Sequence, residues 1–394
     1  MTWASWTPPA AAFSEAQKLV LQSWRIVNQS YLDTTFNHQN WWSLRQEYLR
    51  RPLESRDQAY DAIREMLATL DDPFTRLLEP EQYRSLQVNT SGELSGVGLQ
   101  INIDDESQQI EVITPIAGSP ADAAGIEPRD RILEIDNRDA TQLSLEEAAN
   151  QMRGTIGTEV TLTILRPKTQ QQKRYTIVRD RIALNPVTAH LDTESASLPI
   201  GYVRLAQFSA NATAEMHDAI ADLEKQGATG FILDLRNNPG GLLQAGVEIA
   251  RLWLNDSPIV YTVNRQGVLG SFDAKHQALT TSPLVVLVNQ GTASASEILA
   301  GALQDNERAP LVGDRTFGKG LIQSLFELPD NAGLAVTVAK YETPNHRDIN
   351  KQGITPNYTV TQEAIPISKI GTKADTQYQE AIKVLTQKTM VAQS

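Results

Sequence analysis

Read for the spacing of apolar residues, the chain falls into three stretches of different character. From Ser14 the apolar positions recur at helical spacing. Ala16, Leu19, Val20, Trp24 and Val27 share one face, and Ser14 stands where an N-cap belongs. Further helical stretches are predicted around Trp41 to Leu49 and Ala59 to Leu70. Asp71-Asp72-Pro73-Phe74-Thr75 then ends the helical pattern, because proline disfavours a helical residue before it. Five of the six tryptophans precede residue 43, so this region needs a partner surface on which to bury them. The first ten or so residues, with Pro8 and Pro9, read as a flexible tail.

A second pattern begins near Asn89-Thr90-Ser91-Gly92. Strands are predicted from Gln100 to Ile103 and from Ile110 to Thr114, then a short helix over Ser119 to Gly125, then a strand at Arg131 to Ile135 with a turn at Asp136-Asn137. Ser144-Leu145-Glu146-Glu147 has the form of a capping box opening a helix that stops at Gly154, and Val160 to Leu165 alternates as a strand. From Pro186 strands and helices alternate: strand Ile200 to Leu205, helix Ala212 to Gln226, buried strand Gly230 to Arg236, a glycine-bearing loop, and a helix to about Trp253. The reading is a multidomain α/β protein, with a helical N-terminal region (1–88), a β-rich domain (89–182) and an α/β domain (183–394) closed by a helix over Lys373 to Lys388.

Composition narrows the function classes. The net charge of −12 argues against binding nucleic acid or an anionic membrane. With no cysteine, thiol nucleophiles, disulfides and cysteine metal sites are excluded. No uninterrupted apolar run is long enough to span a bilayer. The start of this numbering lacks the basic flank and apolar core of a signal peptide, so an exported protein would have lost its signal before Met1.

The stretch Gly291-Thr292-Ala293-Ser294-Ala295-Ser296-Glu297-Ile298-Leu299-Ala300 carries the candidate chemistry. It follows the apolar run Pro283 to Val288, and Ile298, Leu299, Ala302 and Leu303 continue at helical spacing. A serine at such a strand-to-helix turn sits beside unpaired N–H groups that can stabilise an oxyanion. Ser294 and Ser296 can equally serve as simple helix caps. Gly313-Asp314-Arg315-Thr316-Phe317-Gly318-Lys319-Gly320 imitates a phosphate-binding loop, but Gly320 stands where Ser or Thr would hold magnesium, and a strand-like run follows. None of His38, His190, His217, His276 and His346 has a flanking catalytic motif. A desolvated lysine is the other base available to a serine, and Lys319 follows Ser294 by 25 residues, room for a helix, a turn and a return. Glu297 and Asp305 share the serine's helix face; Glu297 would orient Lys319 or bind its ammonium, and Asp305 reads as structural.

Two resemblances sharpen this. Gly96-Val97-Gly98-Leu99, the Ser119 to Gly125 segment and Arg129-Asp130-Arg131-Ile132-Leu133-Glu134-Ile135 resemble a PDZ domain of the bacterial protease type. That implies a loop over Gly96, Val97, Gly98 and Leu99 gripping a terminal carboxylate, with Leu145, Ala149 and Met152 lining a side-chain pocket. Arg129 departs from the glycine usual there, and Asn137-Arg138 replaces the common glycine turn.

The serine stretch, Leu303-Gln304-Asp305-Asn306, Thr316 to Gln323, Asp72 to Pro80 and Asp234 to Gly241 together resemble the carboxyl-terminal processing proteases, over about Leu19 to Pro356. The resemblance implies Ser294 as nucleophile and Lys319 as general base, with Glu297, Asp234 and Arg236 supporting the site. It also implies an oxyanion hole from the N–H of Ala295 and one from Gly240 or Gly241; Pro239 replaces a glycine common in the family and leaves that choice open. Ser296 is the rival nucleophile, better placed for the cap.

Trp24 to Tyr31, Ser43 to Leu49 and Asn345 to Pro356 are most similar to the cyanobacterial and chloroplast members. These act on the precursor of a photosystem II reaction-centre subunit. The expectation is therefore an exported serine endopeptidase of the thylakoid lumen or periplasm, without metal or cofactor. Its partner would be a precursor protein with a free C-terminal carboxylate, met at the membrane surface where that substrate is embedded, with no nucleic acid involved. The rival class is a non-catalytic PDZ scaffold or chaperone on the same fold; an α/β enzyme acting on acyl thioesters would leave the PDZ-like segment unexplained.

Overall fold

Helix Glu15–Ser30 begins on the cap expected for it: Ser14 accepts from the N–H of Gln17, whose side chain accepts from the N–H of Ser14 in return. The structure is a computed structural model, and it describes residues 13–392 apart from 105–106, 117, 196–197, 276–277, 364 and 367–368. The expected N-terminal tail and His276 lie outside the described residues. The chain forms two compact units, Met1–Thr90 with Pro186–Ser394, and Ser91–Asn185.

In the larger unit, Val20, Trp24 and Val27 are buried against helix Arg56–Ala68 and strand Gly333–Glu342. The Trp24 indole N–H donates to the carbonyl of Trp41 at 2.8 Å. Trp42 packs edge-on to Trp24 yet stays 59% exposed. Strand Arg76–Leu78 pairs antiparallel with Gly333–Glu342. The helical region therefore finds its partner surface on the α/β part, and the two share one unit. A helix at Pro80–Ser91, absent from the periodicity reading, follows; Tyr83 is its one buried residue, so it shows no apolar stripe.

The central sheet runs in the order Val187–Asp192, Ile200–Leu205, Gly230–Asp234, Leu284–Val288, Leu311–Gly313, Tyr358–Thr359. Its first pair is antiparallel and the rest parallel. Gly230–Asp234 and Leu284–Val288 are buried at every position, which is why they read as unbroken apolar runs rather than alternations. Helices Ala212–Lys225, Leu243–Arg251 and Ala295–Asp305 share a core with one face of the sheet, and helix Thr376–Ala392 packs on the other through Tyr378, Ala381 and Leu385. A second sheet contains the hairpin Ser257–Asn264 and Gly267–Ala274, with Gly333–Glu342 at its centre and Leu321–Glu327 paired to that strand.

The smaller unit is built on a sheet in the order Leu99–Ile103, Ile110–Pro115, Arg131–Ile135, Glu159–Arg166, Gln171–Val178. Glu93–Gly96 pairs with Asp180–Ala183. Helix Leu145–Met152 starts on the Ser144–Glu147 capping box. Arg129 adopts φ 75°, so it occupies the left-handed backbone that a glycine would otherwise supply. Asp136 and Asn137 do the same at the turn, with φ 48° and 63°.

Candidate active site

The strand Leu284–Val288 delivers the chain into a tightly bonded turn. Thr292 hydroxyl donates to the carbonyl of Leu235 at 2.9 Å, and the N–H of Ala293 to the carbonyl of Asn238 at 3.0 Å. The serine loop is thereby laid against the loop that follows strand Gly230–Asp234. Ser294 then takes φ 58° and ψ −118°, a strained conformation for a residue with a side chain, and the helix Ala295–Asp305 starts directly after it.

Ser294 thus stands at the N-cap position. This corrects the assignment of the cap to Ser296. Ser296 is the second residue of the helix, fully buried, and its hydroxyl donates to the carbonyl of Asn238 at 3.0 Å. It ties helix to loop and is closed to any substrate.

Glu297 is fully buried and accepts four hydrogen bonds: from the N–H of Ser294 at 3.0 Å, of Gly318 at 2.8 Å and of Lys319 at 2.8 Å, and from the Thr316 hydroxyl at 2.5 Å. Burial pushes its carboxyl above the usual carboxylate range, and the four donors pull the other way. Glu297 meets Lys319 at its backbone N–H, and among the described residues no ion pair includes the lysine ammonium.

Lys319 is half-buried. Desolvation, and after it the charge of Arg76, holds its ammonium below the ordinary lysine pKa. Its Nζ lies 5.0 Å from the centroid of the Phe74 ring. No hydrogen bond joins Lys319 Nζ to Ser294 Oγ among the described residues, although both line one cleft of about 420 Å³. Leu242, Leu243, Ile298 and Ile322 supply apolar walls, and Arg76 a cation. Phe74, Arg76, Thr316 and Tyr341 lay in or near the quoted motifs but drew no role from sequence; only their side-chain directions place them here.

Gly240 and Gly241 line the same cleft with Ala295. A Cβ on Gly240 would stand 2.8 Å from Ser294 Cβ, so only glycine admits the loop this close. The Gly240 N–H donates to Asn238 Oδ1 at 2.9 Å and is occupied. Gly241 is exposed, and among the described residues neither its N–H nor that of Ala295, the first residue of the helix, donates to a protein acceptor.

Asp234 and Arg236 are not on the cleft. Arg236 donates to Asp234 and Asp375 at 2.6 and 2.7 Å, and to Gln377 at 3.0 Å, while the Tyr202 hydroxyl donates to Asp234 at 2.7 Å. This buried network joins the end of strand Gly230–Asp234 to the start of helix Thr376–Ala392. Asp305 pairs with Arg347 at the far end of the serine helix, the structural place expected of it. His38, His190, His217 and His346 are absent from the cleft. In the smaller unit, Val97 and Met152 are buried in its own core, whereas Leu99, Leu145 and Ala149 remain partly exposed. Gly96 and Gly98 flank Val97, and a Cβ on Gly98 would stand 2.2 Å from that of Ser119.

The family model described as "Peptidase family S41" matches residues 199–360, and a "PDZ domain" model matches 85–165. Across 380 residues the chain is 64% identical to a carboxyl-terminal-processing protease of Synechocystis sp., covering 96% of this chain and 89% of the relative.

The chain belongs to the carboxyl-terminal-processing proteases.

These are serine-type peptidases, and the relatives span bacteria and plastids. A second carboxyl-terminal-processing protease, from Picosynechococcus sp., is 62% identical over 98% of this chain and 92% of its own. The chloroplastic C-terminal processing peptidase of Tetradesmus obliquus is 43% identical over 91% and 80%. The solved structure titled "Photosystem II D1 C-terminal processing protease" superimposes with TM-score 0.57 at 40% identity, over 95% of this chain and 98% of that one. Multidomain α/β architecture, a PDZ domain and an S41 core are thus the make-up of this carboxyl-terminal-processing protease.

Proposed function

We propose that this protease is an endopeptidase that removes a C-terminal extension from the precursor of a photosystem II reaction-centre subunit, with Ser294 as nucleophile and Lys319 as general base. The observation that carries the dyad is the Glu297 carboxylate, which takes the backbone N–H of both residues and so ties a nucleophile to a lysine whose proton affinity burial has lowered. The neutral Lys319 amine accepts the Ser294 proton as Oγ attacks the scissile carbonyl, and the resulting ammonium returns that proton to the leaving amine as the C–N bond breaks. Water then attacks the acyl-serine with Lys319 again taking a proton, which passes to Ser294 Oγ as the ester bond breaks. The N–H groups of Ala295 and Gly241 receive the oxyanion; Gly241 is preferred to Gly240, whose N–H is already engaged by Asn238.

The PDZ domain captures the precursor's terminal carboxylate through the loop at Gly96, Val97, Gly98 and Leu99, with Leu145 beside it; Met152 supports that groove from the core. Asp234 and Arg236 act at a distance, by fixing the strand end from which the Gly240 loop departs. The likeness to a D1 processing protease and to a chloroplastic relative supports this substrate, and such a substrate argues for an exported compartment, the thylakoid lumen or periplasm. The test is incubation of the precursor with wild type, Ser294→Ala and Lys319→Ala, read by mass spectrometry. One new C-terminus with wild type and none with either variant is expected. Full cleavage by Ser294→Ala would end the dyad reading.

A further inference from the structure

Tyr341 stands near the end of strand Gly333–Glu342 and is 1% exposed. Its hydroxyl oxygen lies 3.0 Å from the carbonyl oxygen of Ser294 and 2.7 Å from that of Lys319. Its own N–H donates to the carbonyl of Gly320 at 3.0 Å. Glu297 meanwhile accepts the N–H of Ser294 and the N–H of Lys319. Each of the two residues is therefore held at its N–H by one buried side chain and at its C=O by another.

Those two side chains come from different elements. Glu297 rides on the helix that starts at the serine, while Tyr341 belongs to a strand whose ring is packed in the main core. Lys319 lies in a segment without regular secondary structure, Asp314 to Gly320, so its backbone has no ladder of its own to hold it. The Ser294 carbonyl also accepts the N–H of Glu297 at 2.8 Å and of Ile298 at 3.0 Å, whereas the phenol's single proton has its shorter contact with the Lys319 carbonyl, so Tyr341 spans from the fixed helix start to the lysine's unladdered backbone. Proton transfer from Ser294 needs Lys319 Nζ within hydrogen-bond reach, and a misplacement of about 1 Å costs on the order of a hundredfold in rate.

We propose that Tyr341 is a positioning residue for the reaction, its hydroxyl setting the Ser294 backbone against the Lys319 backbone. The proposal rests on the Ser294–Lys319 reading. Tyr341→Phe removes one oxygen and keeps the ring. On a C-terminally extended peptide kcat is expected to fall about 10- to 100-fold with KM within about threefold, and labelling of Ser294 by a fluorophosphonate should slow in step. Unchanged kcat and labelling would overturn the proposal, as would a lower melting temperature with no kcat change.

A double-mutant cycle with Glu297→Gln adds a readout that packing alone would not move. Two groups serving one alignment give a combined loss smaller than the product of the single losses; a multiplicative result overturns the idea. Ser294→Ala and Lys319→Ala separate the two levels. If either cleaves normally, the dyad fails and takes this proposal with it; if both are dead while Tyr341→Phe retains full kcat, the positioning role alone fails. Should Tyr341→Phe not fold, 3-fluorotyrosine at 341 preserves shape and hydroxyl. Its fluorine resonance must move when Ser294 is phosphonylated, and a stationary resonance counts against the role.

Discussion

Lys319 Nζ rests 5.0 Å from the centroid of the Phe74 ring, a lysine from the site facing an aromatic from the loop after the N-terminal helices. The ring excludes water and its face favours the charged amine, while burial disfavours it more strongly; the net direction is a lowered pKa. A base must be neutral to act, so kcat/KM should rise with pH through the lysine's lowered pKa, with a midpoint below the ~10.4 of a free lysine. A pH–rate profile of wild type checks this, and a rate flat from mildly acidic to strongly alkaline pH would contradict it.

Arg76 contributes to that lowering by charge alone. Arg76→Gln removes a repelling cation, raises the Lys319 pKa and moves the acid limb to higher pH. The side chain is exposed, so the displacement should be only a few tenths of a unit and should shrink in high salt. An unmoved limb at low salt would show that Arg76 does not act on the lysine.

Glu297→Gln keeps the shape of the clamp but presents an NH₂ where an N–H or hydroxyl now donates. At least one of the four donors loses its acceptor, at a cost of about 1–3 kcal/mol of stability. Activity should fall by more than the melting temperature suggests, by roughly two orders of magnitude, because the nucleophile and base lose their common reference. Circular-dichroism melts alongside kcat distinguish the two effects.

The Asp234–Arg236–Asp375 network bears on stability. Burial pushes the Asp375 carboxyl up, but Arg236 and two backbone N–H groups outweigh it, and the folded-state pKa lies below 3.8. The sign follows: a depressed carboxylate stabilises fully above its unfolded pKa and loses that contribution as pH falls through the folded value. Asp375→Asn should therefore cost about 3–5 kcal/mol near neutrality, since it leaves Arg236 short of a buried counter-charge. The gap to wild type should narrow in acid below about pH 4, as wild-type Asp375 is protonated too. Denaturant unfolding at several pH values measures it.

How much of this was legible in the sequence depended on whether a side chain's work shows in its spacing. Ser14, Ser144 and Glu147 announce their helices because capping is local. The buried strands at 230–234 and 284–288 announce themselves as unbroken apolar runs. The hairpin Ser257–Asn264 with Gly267–Ala274 went unread, because register shifts at Pro258/Val260 and Thr262/Val263 break its alternation. Ser294 and Lys319 were visible as a motif. Ser296 was misread as a cap because its partner, the Asn238 carbonyl, is 58 residues away. Tyr341 looks like any inward residue of a long strand, and nothing in period or composition says that its hydroxyl ends between two carbonyls.

The positive φ of Ser294 also selects the kind of nucleophile this turn can carry. Threonine has the same hydroxyl, but a branched Cβ is far less tolerant of that backbone, so Ser294→Thr should damage the turn rather than substitute for the serine. Glycine meets no such penalty. Ser294→Gly should be inert and yet melt higher than wild type, so that the proposed nucleophile is also a residue the fold would be more comfortable without.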